Sequence, residues 1–329
     1  MDNQTYNSSY SDVRLECYEG KPTKKVRIFM NSRGCRYAKR KECIECGFFN
    51  MSNEHLTSDE IISNFYREFN KYDFNQYPIL SVYTPGSFLD DTEVLPDERA
   101  NILEQINITE GITNVIIESR PEFVTKEKVK NIVELLSDKI VNIAMGLESS
   151  NDYIRNNCVN KHFTWDDYVR AANIIKKYCN LRSYVLMKPP FLTESEAIND
   201  AINSIRDAFS IGSESVFLEI CNVQMGTPLE SLYNLDLYKP ARLWSVLDVL
   251  FEFEGKKVFV GGINDYPVPI VEASNCELCT EKVKKELVKY NSTLDLSKLR
   301  KLNCKCRHSQ MLPEFHSETS KLIILPENP

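Results

Sequence analysis

The chain has 329 residues, 42% hydrophobic and 26% charged, with a formal net charge of −7. That length holds one large α/β domain with an appendage or two ordinary domains, and the composition argues against fibrous and membrane classes. No apolar run approaches the ~20 residues of a bilayer span and residues 1–11 lack a secretion-signal core, so a cytoplasmic protein without a membrane partner is expected.

Residues 1–24, rich in Ser, Asn, Thr and Tyr, read as a loosely packed N-terminal leader. From Val26 onward short apolar runs alternate with longer amphipathic ones, the pattern of repeated β-α units. Strands are predicted at 26–30, 79–84, 114–118, 141–147, 182–188 and 215–221, with helices between them. Thr57 with Glu60, and Thr193 with Glu196, each spell a capping box at a helix start. After the first, Ile61, Ile62, Phe65, Tyr66 and Phe69 recur at helical spacing and read as packing against a sheet. Six successive units predict an α/β fold, a parallel sheet curled into a partial (β/α)6 barrel over residues 25–255. A helix at 240–253, a short strand at 258–262 and a Pro-rich link at 266–269 lead into a small cysteine-rich module, the C-terminal extension over 256–329.

Eleven cysteines are present, and seven fall in two tight groups. A reducing compartment disfavours a disulfide framework, so the clustering reads as metal or cluster ligation. Cys35, Cys43 and Cys46, spaced C-x7-C-x2-C, directly follow the first predicted strand. Three thiolates suit a cubane iron–sulfur cluster with one iron left open, whereas four would close it. A loop leaving the first strand of a β-α barrel lies at the catalytic mouth, which favours the cluster over redox thiols or over zinc, for which His55 is the nearest candidate histidine. Cys276, Cys279, Cys304 and Cys306 form two close pairs around a helix-sized segment. They suit a closed tetrahedral zinc site or an auxiliary [4Fe-4S] cluster, with zinc preferred on ligand geometry.

The other strand ends supply the remaining candidates. The second offers Gly86 and Ser87, a turn where backbone approaches a ligand closely; the third offers Glu118 and Arg120, which either bind a ligand or pair with each other. Glu148, Lys188 and the group Cys221, Asn222 and Gln224 follow at the next three. Cys221 reads either as a hydrogen-atom donor or as core filling. Lys and Arg crowd around both cysteine groups, an arrangement that either steers a phosphate-bearing substrate or is a solvated face.

With these motifs assembled, the chain resembles the radical S-adenosylmethionine (SAM) superfamily. Within it, the resemblance is to the Elongator-catalytic-subunit-like branch and its archaeosine-biosynthesis radical SAM proteins. Carrying it are Ser32-Arg33-Gly34-Cys35 with Cys43 and Cys46-Gly47, Thr84-Pro85-Gly86-Ser87-Phe88-Leu89-Asp90, Glu118-Ser119-Arg120-Pro121-Glu122, Gly146-Leu147-Glu148-Ser149-Ser150 and Lys188-Pro189-Pro190-Phe191. The stretch Leu243-Trp244-Ser245-Val246 and the paired C-terminal cysteines also match, over about residues 25–315. The C-x7-C-x2-C spacing is longer than the superfamily's usual one, and the arginine-rich insert it creates is read as serving substrate access.

The resemblance implies a [4Fe-4S] cluster on Cys35, Cys43 and Cys46 that reductively cleaves SAM to a 5′-deoxyadenosyl radical. It implies an external electron donor of flavodoxin or ferredoxin type. By position, Gly86, Ser87, Glu118, Arg120 and Glu148 would cradle SAM, with Lys188 at the same rim. The expected substrate is a nucleoside, such as a deazaguanine–lysine adduct in tRNA. A free nucleotide or other small anionic metabolite, with sulfur insertion from an auxiliary cluster, is the alternative; a zinc-binding interaction protein on a barrel scaffold is the third reading.

Overall fold

Short Val- and Ile-rich segments with both faces covered make the frame of the protein, as parallel β-α architecture requires. The computed structural model describes residues 9–307; the first eight residues of the expected leader and residues 308–329 of the expected extension lie outside the described residues. Strands β1 (Tyr10–Tyr18), β2 (Lys21–Phe29), β3 (Ile79–Tyr83), β4 (Asn114–Glu118), β5 (Ile140–Glu148), β6 (Asn180–Met187), β7 (Ser215–Ile220) and β8 (Val258–Gly261) form one sheet in that order. β1 is antiparallel to β2, and β2 to β8 are mutually parallel. The sheet is an open half-barrel.

Helices α1 (Arg36–Lys39), α2 (Ser58–Phe69), α3 (Pro96–Ile108), α4 (Lys126–Leu135), α5 (Trp165–Ile175), α6 (Glu194–Ser210), α7 (Pro228–Asn234) and α8 (Leu243–Phe251) occupy the connections. Both expected capping boxes form. The Thr57 hydroxyl accepts from the Glu60 amide at 3.3 Å while the Glu60 carboxylate accepts from the Thr57 amide at 2.8 Å. Thr193 and Glu196 repeat the exchange at 3.2 and 2.8 Å. On α2 the stripe Ile61, Phe65 and Phe69 is buried against the sheet. All six expected strands are present, and the short 258–262 segment supplies the seventh parallel strand as β8.

The expected leader is corrected from Tyr10 onward. Residues 10–24 are not loosely packed: they run along β1, turn, and enter β2. Glu19 and Gly20 make the two-residue turn with φ of 50° and 75°, the left-handed pair that hairpins of this length need. Composition hides this strand because the residues that anchor it are charged. Arg27 of β2 holds Asp12 through two hydrogen bonds of 2.8 and 2.7 Å. Buried Glu16 pairs with Lys25 and, at 2.8 Å, with Arg182 of β6. This triad lies at the strand N-terminal end and plugs the bottom of the barrel.

Past β8, helix α9 (Thr280–Thr293) and the short α10 (Ser297–Arg300) complete the described chain. α9 packs against β1, β2 and β8, so it spans the open side between the two edges of the half-barrel.

Candidate active site

Loops at the C-terminal ends of the parallel strands build the site. Cys35 caps α1 just after β2, and Cys43 and Cys46 follow in the loop that returns across the mouth. Cys35 and Cys43 are buried and Cys46 is half-buried. Burial first, then Cys43, Glu45 and Cys35, raise the Cys46 thiol, against Lys161. Burial pushes Cys43 up to about 12, opposed by Lys161 and Arg120. Two buried thiols and one half-buried thiol on a single loop, with Lys161 and Arg120 nearby, are a donor set that a strongly cationic core would ionise. It suits a three-thiolate iron–sulfur cluster.

The turn after β3 presses on this loop. A methyl group at Gly86 would stand 2.5 Å from the Cys35 Cβ, so only glycine lets the two loops meet. Glu93 locks the junction. Its carboxylate accepts from the Ser32 hydroxyl at 2.7 Å and from the Gly86 and Ser87 amides at 2.9 and 2.7 Å. Burial lifts this carboxyl to about 7 despite those donors. The arginines of the loop are held in place: Arg36 grips Asp90 at 2.9 and 3.2 Å, and Arg40 pairs with Glu42 at 2.8 Å.

A cavity of about 350 Å³ opens beneath the cysteine loop, and Cys46, Gly86, Glu118, Arg120 and Glu148 line it. Glu118 and Arg120 take different partners. Arg120 binds Glu122 at 2.6 Å and the Lys161 carbonyl at 2.5 Å, and it lies 4.0 Å over the Tyr37 ring. Glu118 is held by the Tyr184 hydroxyl, and burial pushes it up to about 8. Glu148 pairs with Lys161 at 2.9 Å, and that pairing keeps the ammonium charged against the cost of burial. Ser87 is buried behind the cavity, bonded to the Ser119 hydroxyl at 3.1 Å. Lys188 is buried in an ion pair with Glu194 at 2.8 Å. Glu148 and Lys188 leave their strands with φ of 62° and 64°, a left-handed conformation that non-glycine residues adopt mainly where a site demands it. Cys221 reaches the cavity wall, while Asn222 and Gln224 fasten the 262–273 loop through Gly262 and Pro267.

Sequence reasoning missed four residues here: Glu93, Lys161, Tyr184 and Glu219. Glu219 carried a signal, a carboxylate inside the apolar strand β7. It faces the cavity against Gly261, and burial raises it to about 8. Tyr184 sat likewise within β6. Glu93 and Lys161 lie in loops with no local pattern to mark them.

The four C-terminal cysteines converge. Cys276 Sγ lies 3.5 Å from Cys279 and 3.6 Å from Cys304, and Cys279 lies 3.5 Å from Cys306. All four sulfurs fall within 4.8 Å of one another. One tetrahedral ion with metal–sulfur bonds of about 2.3 Å has sulfur–sulfur edges of about 3.8 Å. A cubane interposes irons and sulfides and needs its thiolates further apart. The set fits a single ion.

The fold matches two solved structures at low identity. One is Elp3 of Methanocaldococcus infernus, with a TM-score of 0.53, 14% identity and coverage of 74% of this chain and 60% of that one. The other is methylornithine synthase (PylB), with a TM-score of 0.51, 15% identity and coverage of 83% and 81%. These likenesses show the fold, an open α/β half-barrel with a cysteine-bearing loop after its first parallel strand. No protein-family profile matches the chain. It is 32% identical over 295 residues to archaeosine synthase subunit beta of Methanosarcina acetivorans, covering 88% of this chain and 84% of that one. It is also 32% identical over 302 residues to archaeosine synthase subunit beta of Thermococcus kodakarensis, covering 88% and 91%. The chain belongs to the archaeosine synthase subunit beta family. Among the described residues no helix is long and apolar enough to cross a membrane.

Proposed function

We propose that Cys35, Cys43 and Cys46 hold a [4Fe-4S] cluster with one open iron, and that the cavity below them receives SAM and a modified nucleoside of tRNA. A cluster held there would supply reductive cleavage of SAM as the source of a hydrogen-abstracting radical. The protein's part is placement. Glu93 fixes the Gly86-Ser87 turn against the Cys35 loop, Arg120 and Tyr37 form a stacked wall beside it, and Glu118, Glu148 and Glu219 place carboxyl groups on the cavity wall along with Arg120 and Lys161. The names of the relatives support archaeosine synthesis as the reaction, and the substrate we propose is the one expected from the resemblance, a deazaguanine–lysine adduct in tRNA. The three cysteines on the loop after β2, with Cys46 on the wall of a cavity at the strand C-terminal rim, carry this reading.

At the C-terminal site, sulfur–sulfur separations of 3.5 to 3.6 Å support zinc over an auxiliary cluster. Anaerobic reconstitution tests both. With dithionite in place of the flavodoxin- or ferredoxin-type donor, SAM should yield 5′-deoxyadenosine, faster in the presence of tRNA bearing the lysine adduct than with unmodified tRNA. Phosphate contacts should make tRNA affinity fall steeply with salt. About four irons and one zinc per chain are expected. No iron retained by the parent, or equal iron retained by Cys43→Ala, would sink the assignment.

A further inference from the structure

The tetracysteine site stands far from the cavity, yet one helix joins them. Cys279 immediately precedes α9, and Asn291 lies twelve residues later, about 18 Å along a helix rising 1.5 Å per residue. The near end is fastened to α8. The Trp244 indole donates to Cys306 Sγ at 3.2 Å, and Arg242 donates to the Cys306 carbonyl at 2.8 Å. The middle is packed, with Val283, Leu287 and Tyr290 buried on one face. The far end grips the free edge of β8. The Val260 amide donates to Asn291 Oδ1 at 2.9 Å, and Asn291 Nδ2 donates to the Val260 carbonyl at 2.7 Å. One side chain thus meets both groups a ninth strand would have met. The Tyr290 hydroxyl donates to the Val258 carbonyl at 2.8 Å. Val288 and Asn291 also line the cavity.

The grip matters because of what lies next to Val260. Any Cβ at Gly261 would fall 2.0 Å from the Glu219 carboxylate, so the placement of β8 sets where that carboxylate can sit in the cavity. We infer, resting on the proposed role of this cavity as the substrate chamber, that α9 is the closing stave of the barrel. The distal four-cysteine ion latches it there, and Asn291 is the positioning residue through which the latch holds β8 and Glu219. The metal site then has a function in the reaction without touching any reacting atom.

Hydrogen exchange on the full-length protein tests this without turnover, so its failure is distinguishable from failure of the proposed reaction. In Asn291→Ala, with zinc content unchanged, amides of Val258–Gly261 should exchange about tenfold faster or more, while β3 to β6 keep their protection. Asn291→Asp keeps the acceptor for the Val260 amide and should retain protection there. Stripping the ion with a chelator should speed exchange in α9 and in Val258–Gly261, and zinc added alone should reverse it. In turnover, Asn291→Ala should release 5′-deoxyadenosine without matching product, a split that a uniform loss of fold would not produce. Unchanged protection of Val258–Gly261 in Asn291→Ala or after chelation overturns the inference. So does acceleration spread evenly through the sheet. Should a Cys276→Ser, Cys306→Ser chain fail to fold, the chelation and Asn291 arms still decide.

Discussion

Gly86→Ala isolates the contact on which the cysteine loop is seated. The backbone of Gly86 is not left-handed, so alanine fits its conformation and only the added methyl acts. That methyl would lie 2.5 Å from the Cys35 Cβ, 2.9 Å from its Cα and 2.5 Å from a Glu93 carboxylate oxygen. Carbon atoms rest about 3.5–4.0 Å apart, so the Cys35 backbone must retreat by about 1 Å. Overpacking of this kind costs about 1–3 kcal/mol, and a displacement of about 1 Å at a reacting site costs about 10²-fold in rate. We expect a folded protein with reduced iron after anaerobic reconstitution and a fall of about 10²-fold in 5′-deoxyadenosine release. Gly255→Ala is the control. Its φ of 76° brings backbone strain, but a methyl there meets nothing within 4 Å. It should lose some stability and keep its iron. Parental iron content together with a parental rate in Gly86→Ala would refute the seating argument.

Glu93→Ala should leave three buried donors unpaired and destabilise the protein by about 2–4 kcal/mol in urea titration. Glu93→Gln, which keeps one acceptor oxygen, should cost less than half of that. Glu16→Ala should cost about 3–5 kcal/mol, because Lys25 and Arg182 would remain buried without their counter-charge. Burial alone would raise Glu16, but Arg182 and Lys25 outweigh it and hold the carboxyl near 2 instead of 4.5. Its contribution is therefore present above about pH 4.5 and lost as pH falls toward 2, and the acid-unfolding midpoint should rise in Glu16→Gln. Asp200, hydrogen-bonded to Ser149 at 2.7 Å, has the opposite sign: burial lifts it from 3.8 to about 6. Stability from its protonated form is present below 3.8 and lost as pH rises through about 6, so Asp200→Asn should gain up to about 3 kcal/mol on the parent above that pH. A melting difference that does not widen between about pH 4 and pH 7 would contradict this.

The sequence was most legible where one residue type answers to one physical need. Apolar runs marked all six expected strands within a few residues, because parallel strands are buried on both faces. Thr57 and Thr193 marked helix starts through local bonds that need no tertiary partner. The C-terminal cysteine group was legible because four thiols in two close pairs have few other uses. What escaped depends on contacts distant in sequence. β1 looked like a polar leader since Asp12 and Glu16 find their partners at Arg27, Lys25 and Arg182 only after the sheet forms. Arg36 and Arg40, expected to serve substrate access, are committed to Asp90 and Glu42. Glu118 and Arg120, two residues apart, take different partners, Tyr184 and Glu122, that no local pattern announces.

The two ends of the barrel show how the same residue types separate into fold and chemistry. At the bottom, Glu16 is matched by Lys25 and Arg182 and stays ionised far below the usual range, so its charge belongs to the structure. At the mouth, Glu118 meets only the neutral hydroxyl of Tyr184 among its closest bonds, and Glu219 rests over a glycine; burial drives both up to about 8. Packing alone would not retain carboxyls on strands under those conditions, since an apolar side chain of similar size there would avoid the desolvation cost. The left-handed Glu148 and Lys188 at the same rim add backbone strain in the same place. Raised carboxyls at Glu118 and Glu219 and left-handed backbone at Glu148 and Lys188 therefore cluster at the mouth, beside ion pairs such as Glu148–Lys161 and Lys188–Glu194.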